Sequence, residues 1–407
     1  MTHSFRQAIE ETLPWLSSFG ADPTGGLTRL LYSPEWLQAQ QAFKQKMSDS
    51  GLETRFDEVG NLYGRLPGSR FPDDVILSGS HIDSVVNGGN LDGQFGALAA
   101  WLAVRWLKET YGAPLRTVEV LALAEEEGSR FPYVFWGSKN IVGIANPADV
   151  REIKDAKGVA FVDAMKQCGF SLPAAPLAPR RDIKAFVELH IEQGPILDKE
   201  RIDIGVVTGV QGISWQEFTL TGVSNHAGTT PMNMRHDAGL AAAKIAVYAR
   251  ELALTLGGDQ VSTVGHMVFK PNLINVIPNH VVMTVDLRNT DNETLKLAEQ
   301  RLAEFVARTA QEEGVEITSR SLVRFNPVIF ADEIVNAVED EAKRQALSCR
   351  RLPSGAGHDA QFMASVCPAG MIFVPCVDGI SHNVKEHSEA KDLIAGANVL
   401  LQVVLQR

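Results

Sequence analysis

Histidines and carboxylates recur in this 407-residue chain where hydrophobic runs end, the positions at which an open α/β sheet keeps its chemistry. Val75-Ile76-Leu77 runs into Ser78-Gly79-Ser80-His81-Ile82-Asp83, and the loop continues to Leu91-Asp92-Gly93. Val118 to Ala124 runs into Glu125-Glu126-Glu127-Gly128, and Ala185-Phe186-Val187 into Glu188-Leu189-His190. Met371 to Val374 leads on to Gly379-Ile380-Ser381-His382-Asn383. A single His-x-Asp is most often a satisfied surface pair. Four strands that deliver imidazoles and carboxylates to one sheet edge make a metal donor set, one that suits Zn²⁺, Mn²⁺, Co²⁺ or Ni²⁺. Asp83, two residues after His81, is placed to orient that imidazole from behind. Consecutive strand residues point to opposite faces, so Glu126 and Glu127 share a site only where the strand breaks, and Gly128 fits such a break.

The elements that must position these residues alternate strand, loop and helix. After Asp92-Gly93, Phe95, Leu98, Ala99, Leu102 and Trp106 share one helical face. Residues 5–20 and 34–50 read as amphipathic helices, and Leu52 to Leu66 as a hairpin turning at Gly60-Asn61. This rhythm predicts a mixed or parallel sheet flanked by helices. Beyond about Gly205 the texture changes. Strand 215–220, helix 238–256, strands 261–268 and 281–288, a helix over 293–312 and a strand near 315–320 give the order β-α-β-β-α-β, that of a ferredoxin-like α+β module. In the strict alternation of 281–288, Val281, Met283, Val285 and Leu287 share one face, and Asp286 and Arg288 the other. The α/β texture then returns and ends in a helix over 390–406. The expected organisation is a first domain part over 1–208, an inserted module over 209–326 and a second part over 327–407.

Composition bounds the partners. With 38 basic against 49 acidic residues the net charge is −11, and no block of like charge stands out, which argues against nucleic acid or an anionic membrane surface. A hydrophobic content of 45% supports sizeable cores. The four cysteines have neither disulfide-framework nor metal-type spacing, the start lacks a signal-peptide pattern, and the apolar stretch 95–107 is too short to span a bilayer. A cytoplasmic enzyme acting on a small molecule is expected.

Taken together, His81-x-Asp83, Asp92-Gly93, Glu126-Glu127-Gly128-Ser129-Arg130-Phe131, Glu188-Leu189-His190-Ile191-Glu192-Gln193-Gly194, Ser224-Asn225-His226-Ala227-Gly228-Thr229-Thr230-Pro231-Met232 and Gly379-Ile380-Ser381-His382-Asn383 resemble the amidohydrolase branch of the M20 metallopeptidase superfamily. Within it the chain is similar to allantoate amidohydrolases and N-carbamoyl-L-amino-acid amidohydrolases. The resemblance implies a di-metal catalytic domain carrying an inserted lid and dimerisation domain. It implies two divalent ions per subunit, Mn²⁺ or Zn²⁺ first, with Co²⁺ or Ni²⁺ as alternatives: His81 and His190 on one, Glu127 and His382 on the other, Asp92 bridging. Glu126 would be the general base. His226 would stabilise the oxyanion in the neighbouring subunit of a homodimer. Gln193, Asn275, Arg288 and His358 would bind substrate, and Arg288 is suited to a bidentate clamp on a carboxylate. The implied reaction is hydrolysis of the ureido C–N bond of allantoate in purine-nitrogen catabolism. The alternative is release of an amino acid from its N-carbamoyl derivative. A di-metal peptidase, or a binding protein without catalysis, is more remote. The remaining histidines, His3, His236, His266, His280 and His387, are assigned to structure or surface.

Overall fold

The computed structural model describes residues 2–407; the side chains of residues 2–4, and with them the expectation for His3, lie outside the described set. The chain divides into two compact units, residues 1–208 with 330–407, and residues 209–329. Its strands are β1 (Glu53–Phe56), β2 (Leu62–Leu66), β3 (Phe71–His81), β4 (Arg116–Leu123), β5 (Ile183–Ile191), β6 (Ile204–Val210), β7 (Gly212–Thr221), β8 (Val261–Lys270), β9 (His280–Asn289), β10 (Glu316–Phe325), β11 (Val328–Ile329), β12 (Cys349–Ser354) and β13 (Ala369–Val374).

A nine-stranded mixed sheet runs β1-β2-β4-β3-β5-β13-β6-β11, with β12 paired to β6. Its middle is parallel: β4 with β3, β3 with β5, β5 with β13. The pairs β1–β2, β2–β4 and β13–β6 are antiparallel. The central strands are buried over long continuous runs, Val75 to His81, Ala185 to Ile191 and all of β13. That is the signature of a sheet with both faces covered, so their sequences read as hydrophobic runs without alternation. Helix Gln94–Tyr111 buries Phe95, Leu98, Trp101, Leu102 and Leu107 and packs against helices Thr2–Ser17 and Ala390–Leu405. Helix Pro34–Asp49 starts where Ser33 Oγ accepts from the Trp36 N–H, with Pro34 in the first turn. The helix expected over 5–20 ends at Ser17; beyond it the Leu16 carbonyl accepts from the Phe19 N–H and from the Arg29 guanidinium, the Phe19 carbonyl also accepts from Arg29, and Gly20 turns the chain with φ +94°.

The second unit follows the expected β-α-β-β-α-β order. Its four-stranded antiparallel sheet is β10-β7-β9-β8, joined through helices Ala238–Leu256 and Asn292–Glu313. Asp237 caps the first helix by accepting from the Gly239 and Leu240 N–H groups. The alternation of β9 is observed residue by residue: Val281, Met283, Val285 and Leu287 join Phe218, Leu220, Ile245 and Leu302 in one core, and the intervening residues are half-buried. All four cysteines are free thiols. Among the described residues no helix is long and apolar enough to cross a membrane.

Candidate metal centre

Because β4, β3, β5 and β13 are parallel neighbours, their carboxyl ends share one edge, and the chain leaving each supplies part of one cluster. His81 is the last residue of β3 and His190 the penultimate residue of β5; Glu125, Glu126 and Glu127 follow β4, and His382 lies in the segment after β13. Asp92 reaches the same place from the loop between β3 and helix Gln94–Tyr111. Its two carboxylate oxygens face different partners. Oδ1 is 3.4 Å from His81 Nε2 and 3.1 Å from His190 Nε2. Oδ2 is 2.9 Å from His382 Nε2, which is itself 3.4 Å from Glu127 Oε1. In the groups His81, Asp92, His190 and Asp92, Glu127, His382 the ligand atoms all lie within 4.8 Å of one another; an overlapping group, His81, Glu126, Glu127, puts Glu126 beside both.

Hydrogen bonds set the imidazoles. His81 Nδ1 lies 3.1 Å from the Asp83 carbonyl and 3.3 Å from Asp83 Oδ1, and His190 Nδ1 lies 2.9 Å from the Ile191 carbonyl. A carbonyl only accepts, so each Nδ1 carries a hydrogen and each Nε2 is the ring atom turned toward Asp92. Asp83 does more than orient His81: its Oδ1 accepts from the Glu126 N–H at 3.1 Å and its Oδ2 from the Glu127 N–H at 3.3 Å, fixing the break after β4. Glu125 folds back inside that break, accepting from the Gly128 and Trp136 N–H groups. Gly93 is required where it stands, since a Cβ there would lie 2.4 Å from His81 Nε2 and its φ is +64°.

The donor set fits divalent cations. The Nε2 atoms of His81 and His190 converge on one oxygen of Asp92, and a cation bound there would take the place of a ring proton. Glu127 Oε1 is buried and accepts no hydrogen bond. Burial, then the Asp92 carboxylate, pushes Glu127 up to about 8, and burial holds Glu126 well above the usual carboxylate range. A divalent cation answers each of these deficits.

The other expected site residues divide between the two units. In the first, Gln193 adopts a left-handed conformation (φ +57°) and its Nε2 lies 3.1 Å from Asp92 Oδ2, 3.2 Å from Ser381 Oγ and 3.4 Å from His382 Nε2. It therefore touches the candidate ligands themselves. His358, expected to bind substrate, lies against His190. Its ring is 2% exposed, packs on His190 with centroids 4.6 Å apart, and bonds Ser354 Oγ through Nε2 at 2.9 Å. Burial, then His190, holds it well below the ordinary histidine range and so neutral. In the second unit His226 and Asn275 lie on paired loops: Ala227 N–H donates to the Asn275 carbonyl, and Ile277 N–H to that of Asn225. His226 Nδ1 accepts from the Gly228 and Thr229 N–H groups at 3.0 and 3.2 Å, so the neutral ring carries its hydrogen on Nε2. Arg288 lies on the half-buried face of β9, its Nη2 2.8 Å from Asp286 Oδ2.

Sequence reasoning passed over Arg29. It is fully buried, donating to the Leu16, Phe19 and Ile82 carbonyls and to Gln94 Oε1, and it thereby holds the peptide between His81 and Asp83. The available signal was an arginine inside Leu27-Thr28-Arg29-Leu30-Leu31, a run apolar enough to bury it.

Comparison with known proteins adds family membership to this geometry. The sequence profile of Peptidase family M20/M25/M40 matches residues 77–406. The allantoate amidohydrolase of Escherichia coli (strain K12) is 57% identical over 406 residues, covering 100% of this chain and 98% of that protein. The N-carbamoyl-L-amino acid amidohydrolase of Geobacillus stearothermophilus is 38% identical, covering 98% of each. A crystal structure of an amidase of the hydantoinase/carbamoylase family from Burkholderia multivorans superposes with a TM-score of 0.92 at 36% identity, over 98% of this chain and 97% of that one. With the parallel strand ends, the Asp92-centred cluster and these full-length similarities in hand, the chain belongs to Peptidase family M20/M25/M40, on its amidohydrolase branch.

Proposed function

We propose that the chain is a di-metal amidohydrolase that cleaves a ureido C–N bond of allantoate, giving ureidoglycine, ammonia and carbon dioxide. The observation that carries the reaction class is the Asp92 carboxylate, with Oδ1 toward His81 and His190 and Oδ2 toward His382. His81, His190 and Asp92 would hold one divalent cation, and Asp92, Glu127 and His382 a second. Mn²⁺ or Zn²⁺ are the first choices, and Co²⁺ and Ni²⁺ suit the same donors. Such a pair brings the pKa of water toward neutrality and polarises a carbonyl.

The chain's own residues do the rest. Glu126 takes the proton that the attacking water gives up and returns it to the leaving nitrogen as the C–N bond breaks. Its burial suits a carboxylate that must hold a proton between those steps. Asp83 keeps His81 in the required tautomer and fixes the Glu126–Glu127 backbone. His226 presents Nε2–H as an oxyanion donor, and by the family resemblance it serves the other subunit of a homodimer. Gln193, Asn275 and Arg288 orient the ureido and carboxylate groups, while His358 backs His190. The carbamate released on cleavage falls apart into ammonia and carbon dioxide. The setting is the cytoplasm.

Full-length identity of 57% to an allantoate amidohydrolase, against 38% to a carbamoyl-amino-acid enzyme, supports allantoate as substrate. The test is ammonia release from allantoate and from a panel of N-carbamoyl-L-amino acids, using enzyme stripped by chelator and reloaded with each metal. Preference for allantoate is expected; preference for a carbamoyl amino acid would replace the substrate and keep the chemistry.

A further inference from the structure

We propose that Glu386 is a positioning residue for the candidate cation site formed by Asp92, Glu127 and His382, clamping the loop that carries Asp92 to the segment that carries His382. The inference rests on the ligand set proposed above. Glu386 lies 295 and 294 residues from Leu91 and Asp92 in sequence, yet its Oε1 accepts both of their backbone N–H groups, at 2.8 and 3.1 Å. Its Oε2 accepts from Ser381 Oγ at 2.7 Å, one residue before His382. One carboxylate therefore spans both loops, and it is only 8% exposed.

The Asp92 loop is shaped to admit this carboxylate. A Cβ at Gly89 would come within 2.1 Å of Glu386 Cδ and Oε1, so the backbone closes on the carboxylate as only glycine permits. Glu386 is anchored from its own side by its N–H, which donates to the Asn383 carbonyl at 3.0 Å. His382 has φ +54°, a conformation costly for a side chain with a Cβ, which persists only where surroundings enforce it. The Ser381–Glu386 bond, together with Gln193 Nε2 on Ser381 Oγ at 3.2 Å, supplies that enforcement. Glu386 reaches no candidate ligand side chain directly. It acts through the Asp92 peptide N–H and through Ser381, so its influence falls on ligand placement.

The experiment measures cation binding to the full chain, by dialysis against Mn²⁺ with metal analysis and by Co²⁺ absorption, for wild type, Glu386→Ala, Glu386→Asp and Glu386→Gln. The Asp variant, one methylene short, cannot span both loops. The Gln variant keeps an acceptor for the two N–H groups and an amide for Ser381. Ala and Asp should each weaken the cation held by Asp92, Glu127 and His382 roughly ten- to a hundred-fold, as loss of outer partners does in metal sites, and weaken the cation that shares Asp92 with it less. Gln should restore most of that affinity. In reloaded enzyme the loss should fall on kcat with KM nearly unchanged. Wild-type affinity for both cations in a folded Asp variant overturns the inference, and so does equal weakening by Asp and Gln. If Ala fails to fold, the Asp and Gln pair decides. A wild-type chain that binds fewer than two cations would instead overturn the ligand reading on which the inference stands.

Discussion

In the proposed reaction the neighbours Glu126 and Glu127 do different work. Glu127 Oε1 lies 3.4 Å from His382 Nε2 on the second oxygen's side of Asp92, whereas Glu126 groups with His81 and Glu127. Removing the proton-carrying ability of Glu126 should therefore leave cation binding intact. Glu126→Gln is expected to lower kcat about a hundred- to ten-thousand-fold, the usual share of general acid–base catalysis. Metal analysis on the same preparation should still find the wild-type content. Turnover near wild type would remove Glu126 from the role.

At the scale of elements, the site depends on loops held from outside by groups with no chemistry of their own. Arg29 ties the end of helix Thr2–Ser17 to the Ile82 carbonyl and to Gln94 at the head of helix Gln94–Tyr111. Arg29→Met keeps much of the apolar stem but strands these buried carbonyls, and each unsatisfied group costs roughly 1–3 kcal/mol, so a loss of at least about 2 kcal/mol is expected. Denaturant unfolding of the chelator-stripped protein measures it without contribution from bound metal. An unchanged unfolding midpoint would mean that water replaces the guanidinium. The aromatic segment after β4 has a comparable role. Trp136 and Phe131 are buried in a cluster with Tyr32, Trp36 and Phe161, and Trp36 Nε1 donates to the Ala124 carbonyl just before the three glutamates.

For the whole molecule the proposal that His226 serves a partner's site makes an arithmetic prediction. Glu126→Gln and His226→Ala would each be nearly inactive alone. Mixed after unfolding and refolding, or co-expressed, they should recover roughly a quarter of wild-type activity, because random pairing makes half the dimers mixed and each mixed dimer keeps one intact site of two. No recovery in a verified mixed dimer would place His226 in its own subunit's chemistry. Sedimentation of the purified chain tests the dimer itself.

Much of this is legible in the amino-acid sequence. Hydrophobic runs ending in His81, Glu127 and His190 mark parallel strands because a sheet covered on both faces needs unbroken apolar sequence. The alternation at Val281–Arg288 marks a sheet covered on one face, and it is borne out in the burial of β9. The family and the amidohydrolase reaction were legible in motifs that name their residues locally. What only the tertiary structure decided are relations between distant segments. Glu386 meets the Asp92 peptide across almost 300 residues, Arg29 disappears into a junction of helix and loop, and His358 turns its ring onto His190. Periodicity records which way a side chain faces its own element. It carries no record of which distant backbone N–H a carboxylate will accept, because that is set by how the strands are ordered in the sheet and where their loops then fall.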